Sequence, residues 1–382
     1  MANLMQSVRD WFAPVQPLTP GMYHYISPAD DPRNYRLHLR IEEDGSGVMV
    51  VNASTILHLN QTAAEYAFCI MKNMPPKDAA NRISSRFNVT KEQAQLDYMN
   101  LVDRLQILIE TPDLDPETFL DFDRRPAHTT NPTAPYRLDC ALTYRLPADA
   151  EPQAAPIDRV KQELTTEQWF AIFDKALEIG IPHLVFTGGE PTLRQDLSEL
   201  IAHIEKNGQV AGLISDGKLL GDSQALQKIL QSGLDHLMIV LQPDDEQIWD
   251  TIQKIAIEDI FLAVHLTISA ENYEQIPELL SRLSAMDVRA ISLSTSDPSL
   301  KDQLESVRNQ VAQKQMQLVW NLPVPYSALH PIALETTQWS QFPGVGKDWL
   351  YLEPDGDVLP SQGTNQVMGN FFTDEWEKIW HN

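Results

Sequence analysis

The sequence contains almost no cysteine. Only Cys69 and Cys140 occur among 382 residues. Two thiols cannot build a disulfide framework, nor can they supply the ligands of an all-cysteine zinc or iron–sulfur site. The count excludes the small disulfide-rich proteins, and any cluster held by this chain's thiolates alone.

Long apolar runs are also missing. No stretch of about 18 apolar residues occurs, as a membrane-spanning helix would require. The first residues, MANLMQSVRDWFAPVQP, lack the basic start and apolar core of a signal peptide. We therefore expect a soluble, cytoplasmic protein without membrane insertion.

Basic residues are few. Lys and Arg number 29 against 53 Asp and Glu, which gives a formal charge of −24. Such a charge repels phosphate backbones and anionic lipid. Nucleic acid is excluded as a partner, and any protein partner is expected to present basic surface.

The length predicts two or three domains, because one domain spans roughly 150 residues. Residues 1–34 are rich in Pro and aromatics without a period, and we expect an arm that does not fold alone. Residues 35–110 form a first domain. Residues 111–135 are rich in Pro, Asp and Thr and predict a linker.

The first domain is predicted to combine a small antiparallel sheet with helices. The strands are YRLHLRI and VMVVNASTILHLN, and the helices are 61–72, 76–87 and 91–108. Thr90 and Gln93 form a capping box at the start of the last helix.

In residues 136–325, strand-like and helix-like segments alternate, which predicts a parallel sheet, open or closed into a partial barrel. The predicted strands are 137–143, 183–187, 210–215, 236–242, 261–269, 290–294 and 318–322, and the predicted helices are 165–179, 196–207, 223–232, 245–257, 273–286 and 299–315.

Alternation within the strands separates a helix-packed face from an inner face. Leu262, Val264, Leu266 and Ile268 belong to the first, and Ala263, His265, Thr267 and Ser269 to the second. Ligands bind at the carboxyl ends of such strands. The inner-face polar residues near those ends are Thr187, Ser215, Gln242, Thr267 and Ser294.

The sharpest motif is Gly188-Gly189-Glu190-Pro191, between a strand and a helix. Two glycines let the backbone approach a ligand closely, although a tight turn explains them equally well. Further strand ends follow at Ser215-Asp216-Gly217, Gln242-Pro243-Asp244 and Ser269-Ala270-Glu271-Asn272.

This succession resembles the radical S-adenosylmethionine (SAM) superfamily over roughly residues 135–325. The resemblance implies a partial (β/α)6 TIM-like barrel that holds the methionine amino group of SAM at the Gly-Gly-Glu-Pro turn. It implies a SAM site at Gly188, Gly189, Glu190, Pro191, Ser215 and Gln242. Glu190 could act as a base, but the resemblance favours a brace for the turn.

The same resemblance exposes a departure. The family carries three cluster-binding cysteines after the first strand, spaced C-x3-C-x2-C. Cys140 matches the first, while Tyr144 and Pro147 stand at the second and third positions. Reductive cleavage of SAM requires the cluster's electron. We interpret the chain as having lost radical chemistry. Cys140 is expected to end a strand beside the inner face, as a thiol that is buried rather than functional.

Residues 326–382 resemble a SPASM or twitch extension, through Gly344–Ser361 and the Asp355–Val358 hairpin. The family places cysteines where Phe342 and Ser361 stand here. Residues 36–110 resemble the winged-helix-like α+β PqqD domain, or RiPP recognition element, through Gly47–Val51 and Leu57–Ala63. That resemblance implies a three-stranded sheet that binds a leader peptide along an open edge.

Two further groups have structural explanations. Cys69 lies on an apolar helix and is expected in the core. His183, His236 and His265 lie on strands, where a shared metal site is an alternative to packing.

Together these features predict a non-catalytic radical SAM-like pseudoenzyme that binds a peptide or protein, as a scaffold or subunit of a larger complex. We expect no catalytic residue, no metal, and no cofactor, or at most SAM without a cluster. Two alternatives stay open: a cluster-independent enzyme that uses SAM in the barrel, and a radical SAM peptide-maturation enzyme with atypical cluster ligation.

Overall fold

A computed structural model describes residues 18–28, 30–33, 35–52, 55–111, 132–148, 150, 152–295, 297–327, 330–331 and 344–380. The chain divides into two compact units, residues 1–129 and 130–382. Most of the expected arm and linker, and Phe342, lie outside the described residues. No described helix is both long and apolar enough to cross a membrane.

The first unit is an antiparallel sheet packed on helices. Its strands are β1 (Gly21–Ile26), β2 (Arg36–Ile41), β3 (Gly47–Val51) and β4 (Thr55–Leu59), hydrogen-bonded in that order. Its helices are α1 (Gln61–Met71), α2 (Pro76–Arg86) and α3 (Lys91–Glu110). The strand and helix positions expected from residue 35 onward agree with these elements.

Two side-chain caps start helices of this unit. Asn60 accepts a hydrogen bond from the backbone of Ala63 at the start of α1, and Thr90 accepts one from Gln93 at the start of α3. Each cap satisfies a backbone N–H that the first helical turn leaves without a partner. Cys69 is fully buried between these helices, as expected.

Strand β1 differs from the sequence-based expectation. Residues 1–34 were expected to form an arm, but Gly21–Ile26 pairs with β2 from Gly21 opposite Ile41 to Ile26 opposite Arg36. This strand is at an edge and is only partly buried. It therefore lacks the alternation of apolar and polar residues by which a strand is recognised from sequence.

The second unit contains a sheet with seven strands that are parallel neighbours in chain order. They are β5 (Arg137–Thr143), β6 (His183–Gly188), β7 (Val210–Ser215), β8 (His236–Val240), β9 (Phe261–Ile268), β10 (Ala290–Thr295) and β11 (Gln317–Val319). The connecting helices are α4 (Thr166–Ile179), α5 (Leu197–Asn207), α6 (Ser223–Leu230), α7 (Glu246–Ile255), α8 (Ile276–Ala285) and α9 (Lys301–Gln313). The alternation read from the sequence is confirmed.

The sheet curves. Arg137 on β5 donates a hydrogen bond to the carbonyl of Asn321, which follows β11, although five strands lie between β5 and β11 in the sheet. Leu262, Val264, Leu266 and Ile268 pack in the large helix-covered core. A smaller apolar cluster of Val185, Ile214, Met238, Val240, Ala263 and Ala290 fills the inner face. The two faces assigned from the β9 alternation are correct.

The C-terminal stretch extends this sheet at β5. Strand β12 (Trp349–Leu352) pairs parallel with β5, and β13 (Asp357–Leu359) and β14 (Gly369–Asn370) continue antiparallel from it. Helix α10 (Trp376–Trp380) follows. The Asp355–Val358 segment therefore spans part of a hairpin turn and the start of β13, and the hairpin begins with the strand beside β5.

Candidate functional site

A cavity of about 400 Å³ lies at the carboxyl edge of the parallel sheet. Gly189, Asp216 and Gln242, which line it, each follow one of the strands β6, β7 and β8. Tyr326, from the segment after β11, closes another side. The position is the one where open α/β sheets bind ligands, and the volume falls within the roughly 300–1,000 Å³ of small-molecule sites.

The Gly188–Gly189 turn is held against the end of β5. Gly189 N–H donates to the Thr143 carbonyl at 2.8 Å, and Glu190 N–H donates to the Arg145 carbonyl at 2.9 Å. Gly188 has φ +124°, a backbone conformation that side chains disfavour. A Cβ on Gly189 would lie 2.2 Å from the Arg145 carbonyl oxygen. Both glycines are therefore required by close backbone approach.

Glu190 is a buried carboxylate at the centre of the turn. One oxygen accepts from Thr192 N–H at 3.0 Å, from the Thr192 hydroxyl at 2.5 Å and from the Ser215 hydroxyl at 2.9 Å. The other accepts from Asp216 N–H at 2.8 Å. Glu190 thereby ties the ends of β6 and β7 together.

Burial and, to a smaller extent, the negative charge of Asp216 together raise the pKa of Glu190 to about 7, against the hydrogen bonds from Asp216 and Thr192, which lower it. A carboxyl group with such a pKa exchanges its proton near neutral pH. The side chain can brace the turn and can also change charge there.

The structure brings the six expected site residues to one place. Gly189, Glu190 and Gln242 line the cavity. Ser215 stands behind Glu190, and Pro191 begins the short 3₁₀ turn Pro191–Leu193. The carbonyl of Gly188 accepts a hydrogen bond from Tyr326 N–H at 2.9 Å.

Three other inner-face residues do not join the cavity lining. Thr267 and Ser294 belong to a hydrogen-bonded group around His265, whose ring nitrogens lie 3.0 Å from the Ser292 hydroxyl and 2.9 Å from that of Ser294. Thr187 is fully buried, and its hydroxyl has no hydrogen-bond partner among the described residues.

Asp216, Lys218 and Tyr326 line the cavity but were not among the expected site residues. The first two directly follow β7, so a polar pair after a strand was a usable signal. Tyr326 lies in a segment without helix or strand, where no periodicity reveals which side chain turns inward.

Cys140 does not face the cavity. It lies in the middle of β5, fully buried in the helix-covered core with Leu138 and Leu142. Burial raises the pKa of its thiol well above the usual value. The expectation that Cys140 ends a strand beside the inner face is wrong, because Cys140 alternates with Leu138 and Leu142, which point toward the helices.

Tyr144 stands at the second cluster position and is buried. Its hydroxyl donates to the Glu353 carboxylate at 2.9 Å, and its ring packs edge-on against Tyr326 with centroids 5.6 Å apart. Burial raises the pKa of the Tyr144 phenol well above its usual value. Pro147, at the third position, lines the cavity.

The three strand histidines do not converge. The Nε2 atoms of His183 and His236 lie 2.6 Å apart, whereas His265 is held by the two serines. Within the part of the chain that the structure describes, the one group with metal-ligand spacing is Glu353, Asp355 and Asp357. The packing interpretation of these histidines agrees with the structure.

Comparisons with known proteins show what this chain is similar to. Residues 140–270 match the Radical SAM superfamily. Streptococcus suis SuiB has a similar fold, with a TM-score of 0.59 at 15% identity over 94% of this chain and 88% of SuiB. SuiB bound to the precursor peptide SuiA gives 0.59 at 14% identity, over 94% and 89% of the two chains. SuiB bound to SAM gives 0.58 at 15%, over 94% and 88%.

These findings correct one expectation. We expected no cofactor, or at most SAM without a cluster, and this is wrong at the level of the family, because the Radical SAM match points to SAM together with an iron–sulfur cluster. The chain's own residues do not fit a cluster held by three of its cysteines, since it has two, and Cys140 faces the helix-covered core.

The domain match, the parallel sheet with its helical connections and the fold shared with SuiB agree with one another. They cover both the site residues at the strand ends and the surrounding sheet. Residues 140–270 are therefore similar to the Radical SAM superfamily, and the chain shares the mixed α/β fold of SuiB.

Proposed function

We propose that this protein is a peptide-binding radical SAM-fold protein that binds SAM in the cavity beside Gly188–Pro191 and does not itself cleave it reductively. The observation that carries the proposal is the cavity of about 400 Å³ at the carboxyl ends of β6, β7 and β8. Its lining combines glycine backbone, which a ligand can approach closely, with several carboxylates. Carboxylates attract positive charge, so this lining suits a ligand that bears an ammonium and a sulfonium group.

The proposed lack of reductive cleavage is supported by the ligands available. Such cleavage takes its electron from a cluster, and a three-thiolate site needs more cysteine than this chain contains. Tyr144 is engaged with Glu353 and Tyr326 at the place where a second thiolate would stand.

The peptide partner is supported by the fold shared with SuiB, which was solved bound to its precursor peptide. In this chain, we assign peptide binding to the first unit, as a PqqD-like domain of residues 35–110. Strands β1 and β4 stand at the two edges of its sheet, and each edge exposes an isoleucine, Ile26 and Ile56. An unpaired strand edge can accept an extended peptide as a further strand.

SAM binding is tested by calorimetry on the full chain. We expect saturable binding that Gln242→Leu weakens at least tenfold, because Gln242 lines the cavity. Gln231→Leu, the same change at an exposed position after α6, is the matched control. Equal binding by all three proteins would contradict the assigned cavity.

Reductive cleavage is tested after anaerobic iron and sulfide reconstitution, with iron content and 5′-deoxyadenosine as readouts. We expect no 5′-deoxyadenosine above a no-protein control under a strong reductant. Production of 5′-deoxyadenosine would instead support the second candidate, a radical SAM enzyme with atypical ligation, which the family match favours.

Peptide binding is tested by selecting a random peptide display library on the full chain. We expect the selected peptides to lose affinity for one of two variants, Ile56→Pro in β4 or Ile26→Pro in β1. Proline has no backbone N–H, so it removes a donor from the hydrogen bonds that a strand edge can make. Unchanged affinity in both variants would contradict binding at a sheet edge.

A further inference from the structure

A second, smaller cavity lies apart from the candidate SAM site. Its volume is about 30 Å³, and it is lined by residues near both ends of the curved sheet and by the C-terminal extension. We call it the His330–Ser361 cavity. Its mouth includes exposed Asn321 and the partly exposed Val345 and Gly363, and its floor includes the buried Asp139, His330, Trp349 and Ser361.

Two floor residues carry polar atoms without partners. His330 Nδ1 and Ser361 Oγ have no hydrogen-bond partner among the residues that the structure describes. His330 is 7% exposed and Ser361 is 4% exposed. Buried polar atoms in folded proteins are nearly always hydrogen-bonded, so two such atoms lining one cavity indicate a group that the cavity receives.

The floor is electrically neutral. Asp139 is the one carboxylate in the lining, and Arg137 neutralises it through two contacts, Nε to Oδ1 at 2.6 Å and Nη2 to Oδ2 at 3.0 Å. Burial lowers the pKa of His330 to about 4, which leaves the imidazole uncharged at neutral pH. A charged guest would be desolvated without a counter-charge.

Size limits the guest further. A buried water molecule needs roughly 10–15 Å³ of cavity volume. The cavity of about 30 Å³ therefore holds about two water-sized groups. A neutral imidazole nitrogen accepts or donates one hydrogen bond, and a hydroxyl does both. A guest that donates a hydrogen bond to one of these two atoms and accepts one from the other gives both His330 Nδ1 and Ser361 Oγ a partner.

We propose that the His330–Ser361 cavity is a binding site for a small neutral group that both donates and accepts hydrogen bonds, of the primary carboxamide class. The Ser361 hydroxyl donates to the carbonyl oxygen of the guest, and the guest N–H donates to His330 Nδ1. This site does not depend on the proposed SAM or peptide functions, because it shares no lining residue with the larger cavity.

The test uses acetamide as the probe and Trp349 as the reporter. The full chain is labelled with 5-fluorotryptophan, the Trp349 resonance is assigned with Trp349→Phe, and acetamide is titrated. We expect a saturable shift of that resonance. Acetone has nearly the same shape but no N–H, and we expect it to give at least tenfold weaker binding.

Variants make the assignment specific. Ser361→Ala should weaken acetamide binding at least tenfold, as should His330→Phe. Ser281→Ala, at an exposed position of α8, should leave it unchanged. Near-ultraviolet circular dichroism checks folding, and Ser361→Ala decides alone if the bulkier variant fails to fold. A non-saturable response, equal response to acetone, or unchanged binding by Ser361→Ala would overturn the proposal and leave a cavity that holds water only.

Discussion

At the scale of single residues, Glu190 combines two opposing demands. Its hydrogen bonds from Thr192, Ser215 and Asp216 favour the carboxylate, whereas burial and the charge of Asp216 favour the neutral acid. The balance puts the pKa of Glu190 at about 7, above its value of 4.5 in an unfolded chain. Folding therefore favours proton uptake at this side chain.

The sign of the resulting pH dependence follows by linkage. Between pH 4.5 and about 7 the folded state binds a proton that the unfolded state has released, so Glu190 makes stability fall as the pH rises. At about 1.4 kcal/mol per pKa unit, the total is about 3 kcal/mol. Glu190→Gln should remove this contribution from the pH profile.

The measurement is urea unfolding at several pH values, followed by tryptophan fluorescence. Seven of the eight tryptophans lie in residues 130–382, so the signal reports mainly on the second unit. Exposed Glu178→Gln on α4 is the control and should keep the wild-type slope. The same loss of slope in both variants would show that Glu190 is not the source.

At the scale of elements, the end of β5 and the Gly188–Gly189 turn pack backbone against backbone. The contact is possible because neither glycine carries a Cβ, which would lie 2.3 Å from the Thr143 carbonyl at Gly188 and 2.2 Å from the Arg145 carbonyl at Gly189. The turn and the residues after β5 can separate only if two backbone hydrogen bonds break.

Gly189→Ala should destabilise the second unit by about 1–3 kcal/mol, the usual cost of overpacking, since the clash is with backbone rather than with a side chain. Gly221→Ala is the control, because its Cβ would lie 3.1 Å from the Thr251 hydroxyl, a milder contact than one at 2.2 Å from a backbone oxygen. Tryptophan-detected urea unfolding measures both. Equal destabilisation by the two variants would contradict the close approach.

The elements themselves could be predicted because their signals are local. Alternation fixes the faces of β9, and the Thr90 cap fixes the start of α3. The cavity could be predicted only in part. Gly189 and Gln242 follow strands, whereas Tyr326 reaches Gly188 from a segment without periodicity. Such a contact depends on tertiary packing, which no local pattern encodes.

The orientation of Cys140 shows a different limit. Its alternation with Leu138 and Leu142 was present in the sequence and predicts the helix-covered face. The position was instead interpreted from the resemblance to a ligand motif. Where a motif and the two-residue alternation of a strand predict different orientations for a side chain, the alternation gives the correct one here.

At the scale of the whole molecule, the charge of −24 is the main long-range feature. Like charges in a compact chain repel one another, and expansion on unfolding relieves that repulsion. Salt screens it, because the Debye length falls from about 30 Å at 0.01 M to about 3 Å at 1 M.

The melting temperature should therefore rise by several degrees when NaCl increases from about 0.02 M to about 0.5 M at neutral pH. Circular dichroism melting curves measure it, and the same titration with sucrose in place of salt separates screening from general exclusion effects. A melting temperature that is constant or falls with NaCl would show that self-repulsion does not limit stability.

Strand β12 pairs with β5, joining Trp349 to Arg137 across nearly the whole second unit in sequence. During synthesis, the outer edge of β5 therefore has no native partner until Trp349–Leu352 have been made. Pairings between residues so distant in sequence form slowly, and an open strand edge can pair with another chain meanwhile. In the folded protein, β12 covers this edge of β5 and leaves it no free hydrogen-bonding groups for another chain to pair with, a role separate from anything that the protein binds.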